Sequence, residues 1–574
     1  MASTLLPPRP PSICPSCWDG PFAARLGFLG KPLLADRTED KSVEAGGYKY
    51  TITPEKLTLQ AKFGCTWCMF LVRCIREMNK ADDLKKSEHT LCIRVGRKGD
   101  SRILSVSVNN VETKRPGYIA TTTPDDPAAR YVSGRSRLTD VRSPHAMLLI
   151  KACIEECDRE HLSCKVNMTT SNPSPQLSAC PAPTRLINCR DPGRPHLILA
   201  KGSSHTYTAL SYVWGPEDQP HRTTDANLPS YMCSIDSATL PRTIRDAIYL
   251  TYQLGIDFLW TDSLCIIQDS PEDKHRELAS MRDVYRYAYL TIDAASAEKA
   301  SDGFLNDRTP LRPDLVLPFI CPSDDINPLA HCGRLQLYEN SSPDTCTTNN
   351  GNLRTGERAW CLQETMLSRR TLVFTPDTVQ LRCQTTTQNI GGAKHDDAFD
   401  IPRLPDALFY PNRSIVRDPT LWLQIRQRWL EIVNDYSRRK LSYPSDRLVA
   451  CAGLAELFAR ALGSRYVAGI WNDKHLLRDL LWRVPEPARS RPTEYLAPSW
   501  SWVSVEDVIP FYFDLHLNSR DMATSVTCTC TPHDPAFPLG PVASGYLVLQ
   551  AHMFRCRVKG RHVSGVHLHI NAMQ

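Results

Sequence analysis

YTALSYVWGPED (207–218), GIDFLWTDSLCIIQD (255–269) and RAWCLQE (358–364) are the stretches whose reading decides the fold. Each joins an apolar run of strand or helix character to polar or aromatic residues at its end. An α/β domain places a site at the edge of its sheet in this way. Working outward, Thr206–Val213 predicts a strand, and Pro241 opens a helix at its first turn. Ile244, Ile248 and Leu254 keep helical spacing until Gly255 stops it. Ile256–Thr261 is a nearly unbroken apolar strand, as expected when both faces of a sheet are covered. Ser270-Pro271-Glu272-Asp273 starts a further helix with a capping hydroxyl, Pro in the first turn and acids at the positive dipole end. Tyr289–Ile292 follows as a strand. A helix through Trp360–Leu367 and a hairpin, TLVFT and VQLRC turned by Pro376-Asp377, complete the alternation.

The flanks differ in kind. Residues 1–165 predict a Cys-rich, mainly helical region that begins with a Pro-rich stretch. Within it, Lys56–Asn79 reads as one helix carrying Cys65 and Cys68, Ile103–Val108 as a strand, and Pro144–Cys164 as a helix. Residues 166–200 read as a linker, since Ser, Pro, Asn and Thr crowd 165–183. Residues 201–384 hold the α/β domain with an insertion at 306–352, and 385–574 read as an α+β region with helices in Leu421–Leu462.

A chain of 574 residues has room for roughly two to four domains. Hydrophobic content of 42% and charged content of 23% are ordinary for a globular protein. The net charge of +6 is spread thinly, so Arg135-Ser136-Arg137 and Arg438-Arg439-Lys440 read as solvated faces rather than a nucleic-acid footprint. No apolar run reaches the length of a membrane span, and the amino terminus breaks into prolines before a signal core forms. These features predict a cytoplasmic protein without nucleic-acid or membrane partners. Most of the 22 cysteines are then reduced thiols, and the sequons at Asn167, Asn340 and Asn412 carry little weight. No G-x-G-x-x-G, Walker loop, H-E-x-x-H or G-x-S-x-G occurs, which lowers the standing of the usual dinucleotide oxidoreductases, nucleotide triphosphatases and serine hydrolases.

Several residues could carry chemistry. On a helix, Trp360, Glu364 and Leu367 share one face, which sets a carboxylate one turn from an indole. Partial burial raises a carboxylate's pKa and suits it to stabilise positive charge or transfer a proton. The alternative for Glu364 is an ion pair with Arg358 or Arg369. Asp262 ends a buried strand, where ligand-binding residues sit, or else caps the next turn. Trp214-Gly215 ends the first strand, where glycine permits close backbone approach to a ligand and the aromatic ring is otherwise plain core. Cys14-x-x-Cys17 and Cys65-x-x-Cys68 fit a four-thiolate zinc site, although a helical second pair would also serve as small core hydrophobes. Cys157, His161 and Cys164 fall at i, i+4 and i+7 on one helical face; as metal ligands they need a fourth, which an amino-terminal CxxC could supply, and packing is the favoured alternative.

The three opening blocks resemble the signature blocks of the fungal heterokaryon incompatibility (HET) domain. LPRTIRDAIYLTYQLGIDFLWTDSLCIIQDSPEDKHRELASMRDVYRYA carries the second block in full and RAWCLQETMLSRRTLVF the third. CDREHLSC (157–164), YPSDRLVACAGLA (443–455) and APSWSWVSV (497–505) also resemble recurring segments of such proteins. The resemblance implies non-self recognition that ends in cell death, with a protein partner or self-association. It further implies a TIR-like (flavodoxin-like) mostly parallel sheet, because HET domains resemble TIR domains. WCLQE looks like the W-x-x-x-E helix of enzymatic TIR domains, whose glutamate supports cleavage of NAD. By that resemblance Glu364 is the catalytic residue, Trp214, Gly215, Asp262 and Trp360 bind NAD as substrate, and a non-enzymatic signalling module or a diverged paralogue is the alternative.

Overall fold

The structure is a computed structural model. It describes residues 6–27, 46–77, 89–98, 101–108, 111–112, 117–132, 134–135, 138–165, 182–216, 219, 221–309, 313–322, 331–339, 353–376, 378–391, 394–395, 403–409, 418–484, 492, 494–509, 525–535 and 537–551. The sequons Asn167, Asn340 and Asn412, the helix end at Asn79, the turn residue Asp377 and most of the Ser/Pro-rich 165–183 segment lie outside the described residues.

In chain order the first strands are β1 (Gly46–Ile52), β2 (His89–Lys98), β3 (Ser101–Val108), β4 (Val111–Glu112) and β5 (Tyr118–Thr121). Next come β6 (Arg185–Asn188), β7 (His196–Leu199), β8 (Tyr207–Ser211), β9 (Phe258–Trp260) and β10 (Leu290–Asp293). β11 (Leu315–Ile320), β12 (Cys332–Glu339), β13 (Arg370–Phe374), β14 (Val379–Cys383), β15 (Thr387–Asn389) and β16 (Lys394–His395) follow. The hairpins β17 (Arg465–Val467) with β18 (Ile470–Asn472), and β19 (Ser525–Pro532) with β20 (Val542–Gln550), belong to the carboxyl-terminal part.

Among the described residues the central sheet has nine strands in the order β16-β15-β14-β13-β10-β8-β9-β6-β7. The pairs β13/β10, β10/β8 and β8/β9 are parallel and the others antiparallel. The sheet is therefore mixed rather than mostly parallel. Its parallel part is confined to four strands whose spatial order is second, first, third, fourth by chain position. That is the flavodoxin-like order of a doubly wound sheet, with its switch point between β8 and β10. Every residue of β8, β10, β13 and β14 is buried. The antiparallel strands β6 and β7 come from 185–199, so the stretch read as a linker supplies two strands to one edge.

The helices follow local signals. Ser270 caps the Pro271–Tyr287 helix, its hydroxyl accepting from the Asp273 amide at 3.3 Å. Arg242–Gln253 begins after Pro241, and Gly255 beyond its end takes a φ of +77°. Ala359–Leu367 is buried along nearly its whole length, packed against β8 and the helices Pro271–Tyr287 and Val449–Leu462. The Gln363 side chain fixes the last contact by accepting from the Gly453 amide at 2.9 Å. The carboxyl-terminal part is α+β, with helices Pro419–Tyr436 and Val449–Leu462 beside two hairpins.

The amino-terminal region is α+β rather than mainly helical. Its antiparallel sheet runs β1-β2-β3-β5-β12-β11, with β4 beside β3. The insertion 306–352 thus sends β11 and β12 back to the amino-terminal sheet, β12 lying against β5 with the partners Thr121 and Gln336 set 215 residues apart in the chain. This sheet has its own hydrophobic core, built around Phe22, Trp67, Phe70, Tyr118, Phe319 and Leu337. The single helix expected over 56–79 is two, Pro54–Lys62 and Thr66–Glu77, divided at Gly64, whose φ of +84° ends the first.

Candidate functional site

The carboxyl ends of the parallel strands converge on a group of acids. Asp262 follows β9, Asp293 is the last residue of β10, and Ser211 is the last of β8. Glu364 reaches them from the last turns of the Ala359–Leu367 helix and is only 6% exposed. Burial pushes its carboxyl up to about 7, and the negative charges of Asp262 and Asp293 push the same way. The neighbouring Ser211 hydroxyl and the Arg358 guanidinium oppose that rise. Burial likewise raises Asp293 to about 7, with Thr355, Arg439 and Arg382 opposing. Such a cluster holds one or more protons near neutrality, which is what a site that exchanges protons or stabilises cations needs.

Trp214 and Asp262 are joined directly, the indole donating to the Asp262 carboxylate at 2.8 Å. Asp262 also accepts from the Ser263 amide at 2.7 Å; it is the first residue of the Asp262–Cys265 helical turn, whose cap position is Thr261. Burial raises its pKa, while Arg358, the Ser263 amide and Trp214 lower it. Gly215 has a φ of +101°, and a Cβ there would stand 2.8 Å from Lys299 Cβ. A side chain is therefore excluded twice at this turn. Trp214, Gly215, Asp262 and Arg358 are each partly exposed, whereas Glu364 is buried. The next loop residues, Glu217 and Asp218, lie outside the described residues.

Trp360 is placed differently. Its indole nitrogen donates to Asp446 at 3.4 Å, so it braces the helix against the carboxyl-terminal part instead of facing the acids. Neither arginine named as an ion-pair partner takes that role at close range. Arg358 donates to the Tyr212 carbonyl at 3.1 Å and acts on Glu364 through space, while Arg369 donates to the Lys165 carbonyl at 2.7 Å. Sequence reasoning passed over Asp293, Ser211 and Tyr212. The strand-end rule that found Asp262 finds Asp293 as well, since both end parallel strands.

The cysteine pairs also meet. The sulfurs of Cys14, Cys17, Cys65 and Cys68 all lie within 4.8 Å of one another, and all four residues are buried. The break at Gly64 makes this geometry, because it puts Cys65 before the second helix and Cys68 in its first turn. The Cys14 amide donates to Cys65 Sγ at 3.3 Å, and Cys17 and Cys68 Sγ stand 3.5 Å apart. Four sulfurs at about 2.3 Å from one tetrahedral ion are about 3.8 Å apart, so the donor set fits zinc. Among the described residues, no helix is long and apolar enough to cross a membrane.

Residues 207–364 match the family model described as heterokaryon incompatibility protein (HET). Heterokaryon incompatibility protein 6, OR allele, from Neurospora crassa is 35% identical over a segment of 95 residues, 15% of this chain. That segment spans only 14% of the relative's length. No solved structure matches. The matched region begins at the first residue of β8 and ends at Glu364, so it encloses the acid cluster. The match to the HET family is confined to residues 207–364, and that stretch is what resembles the family.

Proposed function

We propose that this protein acts in fungal heterokaryon incompatibility and triggers cell death by cleaving NAD at Glu364. The observation that supports this reading is a carboxyl of pKa about 7, buried where a flavodoxin-like strand order opens its crevice. Cleavage breaks the bond between ribose C1′ and the nicotinamide nitrogen, and nicotinamide leaves with the electron pair. An oxocarbenium-like ribose remains, which an adjacent carboxylate stabilises electrostatically until water adds and a proton is released. Glu364 is the group placed for that task. Asp262 and Trp214, locked to each other at 2.8 Å, and the bare backbone of Gly215 form the mouth that receives the dinucleotide. Trp360 contributes by bracing the helix that presents Glu364. Zinc in the four-cysteine cluster organises the amino-terminal sheet rather than the chemistry.

The low exposure of Glu364 favours a second reading, in which the domain signals by self-association or by binding a protein partner and the carboxylate is structural. Induced expression of the full chain in a fungal host separates the two. The enzymatic reading expects death and NAD depletion with the wild type, and neither with E364Q at equal protein level. Death with E364Q at undiminished NAD would overturn it in favour of assembly.

A further inference from the structure

Cys157, His161 and Cys164 do not share one helical face. The Pro144–Glu160 helix ends before His161, whose backbone is extended, and Leu162–Cys164 forms a separate short turn. That turn folds the segment back so that its three side chains surround a fourth, Cys383, the last residue of β14 and 222 residues beyond His161. The ligand atoms of Cys157, His161, Cys164 and Cys383 all lie within 4.8 Å of one another. His161 Nδ1 faces Cys383 Sγ at 3.3 Å.

We infer that Cys157, His161, Cys164 and Cys383 bind a structural zinc ion that fastens the segment from Pro144 to Cys164 to the central sheet at β14. Three thiolates and one imidazole are a common closed tetrahedral set, with no open position for a substrate. The surroundings suit sulfur as an anion. The amides of Thr385 and Thr386 donate to Cys383 Sγ at 3.4 and 3.3 Å, and the Thr385 hydroxyl lies 3.9 Å from Cys164 Sγ. Arg370 donates to Cys157 Sγ at 3.2 Å and to the Cys164 carbonyl at 3.2 Å, while pairing with Asp158. A zinc ion with three thiolates carries one net negative charge, which that guanidinium offsets. Arg370 and Cys383 are direct cross-strand partners, so the pairing of β13 with β14 places ligand and counter-charge together.

The position explains the role. Arg370 begins β13, so the cluster lies at the amino ends of the parallel strands, across the sheet from Glu364. Three of its ligands lie outside residues 207–364, and Cys383 lies beyond them too. The zinc therefore ties together flanking segments that the matched domain does not itself contain.

The test is zinc content of the full chain, purified under reducing conditions without added metal and measured by inductively coupled plasma mass spectrometry. C383S is expected to lose one zinc per chain relative to the wild type, whatever the Cys14 cluster holds. C153S, one turn away on the same helix, is expected to lose none. H161C guards against simple misfolding: it keeps its zinc, and its cobalt-substituted form shows the absorption of a four-sulfur rather than a three-sulfur site. Unchanged zinc in C383S, or an unaltered cobalt spectrum in H161C, would overturn the inference.

Discussion

E364Q is expected to be more stable than the wild type above neutral pH and no more stable in acid. An acid whose folded pKa exceeds its ordinary value binds its proton more tightly in the folded chain. Its stabilising contribution is full below the ordinary value of 4.5 and is lost as pH rises through about 7. At roughly 1.4 kcal/mol for each pH unit between those values, ionising Glu364 costs the folded protein about 3 kcal/mol. Gln keeps the shape and carries no charge, so the variant avoids that loss. Thermal melts from about pH 5 to pH 8 should show the wild-type stability falling more steeply than that of E364Q. Asp293, raised to the same range by its own burial, leaves a residual slope in the variant. Parallel curves would mean that Glu364 is solvated in the folded chain.

The second large effect concerns the amino-terminal sheet. C65S is expected to release the zinc proposed for Cys14, Cys17, Cys65 and Cys68 and to unfold that sheet while the central one stays folded. The two have separate hydrophobic cores, which allows separate transitions. A structural zinc contributes on the order of 10 kcal/mol to folding in small zinc domains, more than a sheet of this size holds in reserve. Limited proteolysis should cut C65S within residues 46–132 and spare residues 242–287. Equal protection of both regions in C65S, with unaltered zinc content, would remove the metal from the account.

The sequence was most informative where structure depends on neighbours along the chain. β9 was legible because a strand covered on both faces is nearly all apolar, and β13 and β14 because Pro376-Asp377 marks a hairpin turn between them. Helix starts were legible through Ser270 and its proline. What escaped depends on distant pairing. Nothing local marks β12 as a partner of β5, or 185–199 as an edge of the central sheet. The mixed character of that sheet escaped for the same reason, since direction is set by where a strand docks. Trp214 and Asp262 were singled out because each follows a strand closely, and the two side chains meet at 2.8 Å. Trp360 shows the limit of helical spacing: sharing a face with Glu364 did not settle that its ring tip would meet Asp446. Cys383 could not be found by spacing, because its partners lie more than two hundred residues away.

The most direct test of the account is release of nicotinamide from NAD by the purified full chain, with E364Q and D262N beside the wild type and each checked for cooperative melting. Wild-type release, its absence in E364Q and its marked reduction in D262N are the expected outcome. Equal release by wild type and E364Q, or none from any protein that is folded and zinc-loaded, would contradict a catalytic role for the carboxyl buried at the switch point of this sheet.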